Sequence, residues 1–225
     1  VTVSGDTRFD RVKAIVQSGS TIPLIEFFKG DSLCWVAGST WPADEKLIAL
    51  VMADLPSHKL IIAPHEVDEK HIAALVNMLA GRQVVRYSEV IGKENDLKTK
   101  LLLQEAEVMI IDTVGILSSV YRYGWFAYIG GGFGAGIHNT LEAATYGLPV
   151  IFGPKYTRFK EAVDLVSLGG AKSITGSGEL YALCRLYLED PVIRNTNGRI
   201  CLDYIGRNVG ATRKVLDGIY NLNPN

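Results

Sequence analysis

The chain has 225 residues, 48% of them hydrophobic and 21% charged, with a formal net charge of −1. This balance belongs to an ordinary globular protein and excludes a disordered or low-complexity chain. It makes no general electrostatic case for nucleic acid or an acidic membrane surface, and no apolar run approaches the roughly 20 residues needed to cross a bilayer.

Residues 1–30 open on a strand-like start, Val1–Val3, then a polar turn, the run Val12–Val16 and the Gly/Ser/Pro stretch Ser18–Pro23. They read as a segment leading into the domain. No charged-then-apolar leader is visible, and a start at Val1 instead of Met points to a piece of something longer. From Leu33 onward, short β-rich runs alternate with helical patterns. Strands are expected at Leu33–Ala37, Lys59–Ala63, Val84–Tyr87, Val108–Asp112, Trp125–Ile129, Val150–Phe152 and Ala171–Ile174. Most are near-continuous apolar runs, as strands covered on both faces are. Helical periodicity marks Ala43–Asp54, Glu69–Leu79, His138–Tyr146, Arg158–Ser167 and Glu179–Leu188.

The polar stretch Gly92–Lys100 reads as the most loop-like interior segment. Residues 191–221 read as mostly helical, and Asn221–Asn225 as a frayed end. The alternation predicts an α/β fold with a doubly wound parallel, Rossmann-like sheet over 31–205. Ligands in such sheets bind where the strand C-termini and their loops converge. Three widely spaced cysteines, Cys34, Cys184 and Cys201, fit reduced, buried or indifferent thiols better than a disulfide framework.

The densest chemical signal is Gly130-Gly131-Gly132-Phe133-Gly134-Ala135-Gly136-Ile137-His138-Asn139, between a predicted strand and a predicted helix. Glycines let a ligand approach backbone N–H groups, and a helix start adds unpaired donors, so the run predicts a phosphate seat. Gly130-x-Gly132-x-x-Ala135 matches a dinucleotide fingerprint formally. It follows the fifth predicted strand, however, and no acid ends the next one. Asn139 and Glu142 are three apart, which places a carboxylate where it can take ribose hydroxyls. Three further polar turns end strands: Gly38-Ser39-Thr40, Pro64-His65-Glu66 and Asp112-Thr113-Val114-Gly115. Glu66, Asp68, Glu69 and His71 follow the spacing of a solvated helix start rather than a metal site, and no D-x-D pair is present.

These residues carry a resemblance. The run from Gly130 through His138-Asn139-x-Leu141-Glu142-Ala143-Ala144 to Gly147-x-Pro149-Val150 and Gly153-Pro154 resembles the nucleotide-sugar half of 3-deoxy-D-manno-octulosonic acid (Kdo) transferases. Val3–Val12, Ala37–Thr40 with Asp44-Glu45, and Asp112-Thr113-x-Gly115-x-Leu117 with Tyr121 resemble further motifs of that family in the same order.

The resemblance implies the C-terminal half of a two-domain GT-B glycosyltransferase, with CMP-Kdo as donor and a lipid A precursor as acceptor. It implies inverting, metal-independent transfer with no cofactor, on the cytoplasmic face of the inner membrane, in lipopolysaccharide synthesis. The general base and the membrane contact would belong to an N-terminal half, to which residues 1–30 connect and toward which a helix in 206–225 returns. Donor-binding residues would be Gly38, Ser39, Thr40, His65, Thr113, Gly115, Gly131, Gly132, Phe133, Gly136, His138, Asn139 and Glu142. The chain departs from the family pattern at Ile116, at Ile137, in lacking arginine beside His65, and at Arg158 before Phe159. Lys155 and Arg158 are candidates to replace the missing arginine. The residues leave open a UDP-sugar glycosyltransferase, a dinucleotide-dependent dehydrogenase and a non-enzymatic nucleotide-binding domain.

Overall fold

The computed structural model describes residues 4–19, 21–55 and 58–222. Val1–Val3 and the last three residues of the predicted tail lie outside them. The N-terminal segment, expected to lead in as a strand and turns, folds as two helices, α1 (Arg8–Ser18) and α2 (Pro23–Lys29). Gly19 closes α1 at a φ of +68°, and Pro23 opens α2 where its missing N–H is harmless. Phe9, Val12, Leu24, Ile25 and Phe28 are buried in the core.

All seven predicted strands form. They are β1 (Cys34–Thr40), β2 (Lys59–Pro64), β3 (Val84–Arg86), β4 (Val108–Ile110), β5 (Ala127–Ile129), β6 (Val150–Phe152) and β7 (Ala171–Ser173). Between them run α3 (Pro42–Asp54), α4 (Glu69–Met78), α5 (Tyr87–Val90), α6 (Leu97–Glu105), α7 (Leu117–Val120), α8 (Leu141–Ala144), α9 (Lys160–Leu168) and α10 (Ser177–Glu189). The stretch expected as loop, Gly92–Lys100, instead contains the start of α6, which Asp96 caps by accepting from the Thr99 amide. Residues 191–221 divide into α11 (Pro191–Asn208) and α12 (Ala211–Leu222), broken at Gly210, whose φ is +104°.

The strands pair in parallel in the order β3-β4-β2-β1-β5-β6-β7. Side chains alternate across the pleat, which divides the core in two. Trp35, Ala37, Leu60 and Ile62 face α3, α4 and α10, with Ile48, Ile72, Leu75 and Leu180. Cys34, Val36, Ile61 and Ala63 face the opposite layer, with Phe28, Leu103, Leu141, Leu165 and Tyr204. Each large apolar side chain buried this way contributes roughly 1.5–3 kcal/mol. The result is a three-layer α/β domain built on the predicted doubly wound parallel sheet. All three cysteines are buried free thiols, and burial pushes Cys34 up to about 12. Among the described residues no helix is long and apolar enough to cross a membrane.

Candidate functional site

β1 and β5 lie side by side at the centre of the sheet, Gly38 opposite Ile129. From β1 the chain proceeds to β2 on one side; from β5 it proceeds to β6 on the other. In open α/β sheets, ligands bind at the point where neighbouring strands send their loops in opposite directions. The Gly38–Thr40 turn and the glycine loop flank this point, with His65 after β2 beside them. The loops singled out in the sequence therefore share one rim.

β1 ends in a bulge. Gly38 pairs with Ala63 and Thr40 with Pro64, so Ser39 has no partner. Ser39 has a φ of +53°, the one non-glycine residue with positive φ among those described. That conformation costs an L-residue roughly 1–2 kcal/mol. The turn is held from both sides: the His65 amide donates to the Thr40 carbonyl at 2.9 Å, and Gly130 lies so close to Ser39 and Thr40 that a side chain would strike their backbone. Gly38 is buried beneath the Tyr121 hydroxyl, where a Cβ would overlap it.

The glycine loop folds on itself. The Gly134 and Gly136 amides both donate to the Gly131 carbonyl, at 2.9 and 3.1 Å, and the His138 amide donates to Gly130 at 3.2 Å. Gly132 backs onto Gly153, where a Cβ would come within 2.6 Å of backbone. The Lys155 amide donates to the Gly132 carbonyl at 3.0 Å and its Nζ to Gly134 at 2.8 Å, while the Arg158 guanidinium meets the Ala135 carbonyl. Lys155 and Arg158 thus brace the loop while remaining exposed. Gly132, Phe133 and Ala135 keep amides that make no hydrogen bond among the described residues.

The predicted helix His138–Tyr146 is corrected. Only Leu141–Ala144 is helical, because Asn139 Oδ1 accepts from the Leu141 amide at 3.1 Å and holds the chain in a turn before it. A four-residue helix supplies almost no dipole, so the donors of this site belong to the loop itself. Asn139 Nδ2 also donates to Glu142 Oε1 at 3.0 Å, which fixes the carboxylate in place. Burial, opposed by that bond and by Arg11, pushes the Glu142 carboxyl up from its ordinary value.

Two buried acids underlie the rim. Asp44 Oδ2 accepts from the Trp41 and Gly131 amides at 3.0 and 2.9 Å, and Oδ1 from the Tyr128 hydroxyl at 2.6 Å. One carboxylate therefore joins the start of α3, the glycine loop and β5. Glu45 accepts from the Thr40 hydroxyl at 3.0 Å and meets His71 Nε2 at 2.8 Å. This corrects the expectation for Thr40: its side chain is fully buried and its hydroxyl is engaged, so only its backbone can serve the rim.

Above the acids sits an aromatic group. Trp41 Nε1–H donates to His138 Nε2 at 2.8 Å, with the ring planes 12° from parallel and the centroids 6.3 Å apart. The exposed His65 ring covers both, with centroids 4.7 Å from Trp41 and 4.3 Å from His138. Burial and the neighbouring His65 push the His138 pKa down, against a smaller opposing pull from Asp44.

Thr113 is half-buried and its Oγ1 has no hydrogen-bond partner among the described residues; Gly115 is exposed at a φ of +93°. Their neighbour Asp112 is closed off by Ser88 and Arg86. Ligand atoms of Glu66, Asp68 and His71 come within 4.8 Å of one another, yet Asp68 caps α4 through the His71 amide and His71 faces Glu45. Sequence reasoning missed the roles of Trp41, Asp44, Tyr128 and His71. An acid three residues into a helix was a legible capping signal for Asp44; its reach to Gly131 was not.

No protein-family model matches the chain. It is 26% identical over 213 residues, 90% of its length, to a probable mitochondrial 3-deoxy-D-manno-octulosonic acid transferase of Arabidopsis thaliana. It is 28% identical over 166 residues, 71% of its length, to the 3-deoxy-D-manno-octulosonic acid transferase of Aquifex aeolicus. The matches span 46% and 41% of those relatives, less than half of each. Among solved structures, the C-terminal CMP-Kdo binding domain of WaaA from Acinetobacter baumannii superposes with a TM-score of 0.64 at 16% identity, over 89% of this chain and 99% of that one. The chain is related in sequence to the 3-deoxy-D-manno-octulosonic acid transferases and has the fold of the C-terminal, Rossmann-like half of a GT-B glycosyltransferase.

Proposed function

We propose that this chain is the donor-binding half of an enzyme that transfers Kdo from CMP-Kdo to a lipid A precursor. The observation that carries the reading is the meeting of the Ser39 bulge, the glycine loop and the Trp41–His65–His138 group at the β1–β5 switch point. The names of the sequence relatives support Kdo as the sugar, and the open N–H groups of the rim support an anionic donor.

In such a transfer the glycosidic bond to the CMP phosphate breaks and negative charge grows on that phosphate. Preorganised N–H groups stabilise developing charge without reorganising at the moment of reaction. The amides of Gly132, Phe133 and Ala135, which make no hydrogen bond among the described residues, with Ser39, His65 and His138, are the groups proposed to face it. Glu142, held by Asn139, is assigned to the ribose hydroxyls, and Thr113 Oγ1 and Gly115 to the far side of the donor. Lys155 and Arg158 are assigned to the anionic groups through the donors left over from bracing the loop. Residues 1–30 and α12 are assigned to contact with an N-terminal half, which would hold the acceptor, the general base and the attachment to the cytoplasmic face of the inner membrane.

Calorimetric titration of the 225-residue chain with CMP tests this reading. Binding in the millimolar range or tighter, without transferase activity, is expected; no heat of binding at millimolar CMP overturns it.

A further inference from the structure

We propose that Trp41 is a positioning residue: its indole N–H fixes His138 as the neutral Nδ1–H tautomer, leaving that N–H as the ring's donor to a bound anion. The tautomer stands on geometry alone; its use toward an anion rests on the nucleotide-sugar reading above.

A neutral imidazole carries one proton on one of two nitrogens, and an indole nitrogen can only donate. The 2.8 Å contact between Trp41 Nε1 and His138 Nε2 therefore makes Nε2 the acceptor and assigns the proton to Nδ1. The ring centroids are 6.3 Å apart although the two nitrogens are only 2.8 Å apart, so the rings meet edge to edge, and with 12° between their planes the bond runs close to both, where the imidazole lone pair lies. Three features hold the pair in register. The Trp41 amide is tied to Asp44, which also holds Gly131. The His138 amide is tied to Gly130. The His65 ring stacks over both partners and shields the bond from water on that face. Nδ1 has no hydrogen-bond partner among the described residues, so its proton is left to a ligand.

A second proton on Nε2 would set two N–H groups against each other. The charged groups facing this ring are Asp44 beneath the loop and, when protonated, His65 above it; burial and His65 together outweigh Asp44 and favour the neutral ring. His138 then acts as a hydrogen-bond donor of fixed direction. It does not act as an acid that releases its proton to the leaving group. A second nitrogen acting through the first is the usual way a functional histidine is oriented.

The test is a two-bond ¹H–¹⁵N correlation spectrum of the 225-residue chain at neutral pH. His138 is expected with Nδ1 protonated and Nε2 bare, and the Trp41 indole proton is expected to exchange slowly with solvent. Trp41→Phe keeps the ring and removes the donor, so His138 should shift toward the Nε2–H tautomer. His138→Ala should speed exchange of the Trp41 indole proton at least tenfold. An Nε2–H tautomer in the unmodified chain, an unchanged tautomer in Trp41→Phe, or unchanged indole exchange in His138→Ala overturns the proposal. If Trp41→Phe does not fold, the other two measurements still decide. With CMP as probe, the Nδ1 resonance should move, and Trp41→Phe should bind roughly fivefold more weakly, about the worth of one hydrogen bond. CMP that binds the unmodified chain without moving Nδ1 removes the ligand role. CMP that fails to bind at all removes the nucleotide reading and leaves the tautomer assignment standing.

Discussion

The two ends of the rim are built from similar residues and behave differently. At the β3–β4 end, Asp112 accepts from the Ser88 amide at 2.8 Å, the Ser88 hydroxyl at 2.5 Å and Arg86 Nε at 2.8 Å, while Arg86 turns its other nitrogens to Glu69 at 2.8 Å. Every charge there is answered from within. At the β1–β5 end, the acids Asp44 and Glu45 are equally engaged but lie underneath. The groups above them, His138 Nδ1 and the Gly132, Phe133 and Ala135 amides, make no hydrogen bond among the described residues. A polar residue at a strand C-terminus is thus not a ligand by position. It is available only where the surrounding chain leaves its hydrogen bonds open.

The largest break in this contrast is expected from Asp44→Ala. It leaves the Trp41 and Gly131 amides and the Tyr128 hydroxyl unpaired, each at roughly 1–3 kcal/mol, so a loss of about 3 kcal/mol or more is expected in urea unfolding, along with CMP affinity. A loss below about 1 kcal/mol would show that the glycine loop does not depend on this carboxylate. Next are two substitutions with opposite readouts. Glu142→Ala should weaken CMP binding by roughly 1–3 kcal/mol, and unchanged affinity removes its ribose role. Asp112→Ala should lower stability by about 1–2 kcal/mol and leave CMP affinity within about twofold. A large loss of CMP binding from Asp112→Ala would erase the distinction between the two ends.

The two acids should also differ in the pH dependence of stability. Burial pulls the Asp112 carboxyl up, but the Ser88 bonds and Arg86 outweigh it and hold the group below its ordinary value. Its stabilisation is present above the ordinary aspartate range and is lost as pH falls through the depressed value. Glu142 has the opposite sign: burial raises it, so its favourable contribution exists below the ordinary glutamate range and is lost as pH rises through the raised value. Unfolding midpoints followed across acid pH should therefore fall less steeply for Asp112→Ala than for the unmodified chain. For Glu142→Gln the decline on the way up toward neutrality should disappear. The smallest effect is expected at Ser39. Glycine relieves the positive φ but adds disorder to the unfolded chain, so Ser39→Gly should stabilise by about 0.5 kcal/mol, and a loss above about 1 kcal/mol would show that the serine side chain holds the bulge.

The strands were legible because parallel strands buried on both faces must be apolar throughout, and Val150–Phe152 ends where it was expected. The glycine loop was legible because so many glycines between two elements have few other uses. Local turn chemistry was harder to read. Asn139 looked like part of a helix, yet its side chain satisfies the Leu141 amide and delays the helix. Thr40 looked like a ligand, yet its hydroxyl turns inward to Glu45, a contact between a strand end and a helix. Trp41 read only as a helix start, because its partner His138 lies 97 positions away. What failed to show was in each case a side chain's choice of partner, which periodicity does not encode.

Amide chemical-shift mapping of the 225-residue chain during a CMP titration separates the two ends of the rim. Saturable shifts are expected at Ser39, His65, Thr113, Gly115 and the stretch Gly131–Glu142, with Arg86 and Ser88 unmoved. Shifts centred on the β3–β4 end, or spread over the surface without saturation, would contradict it.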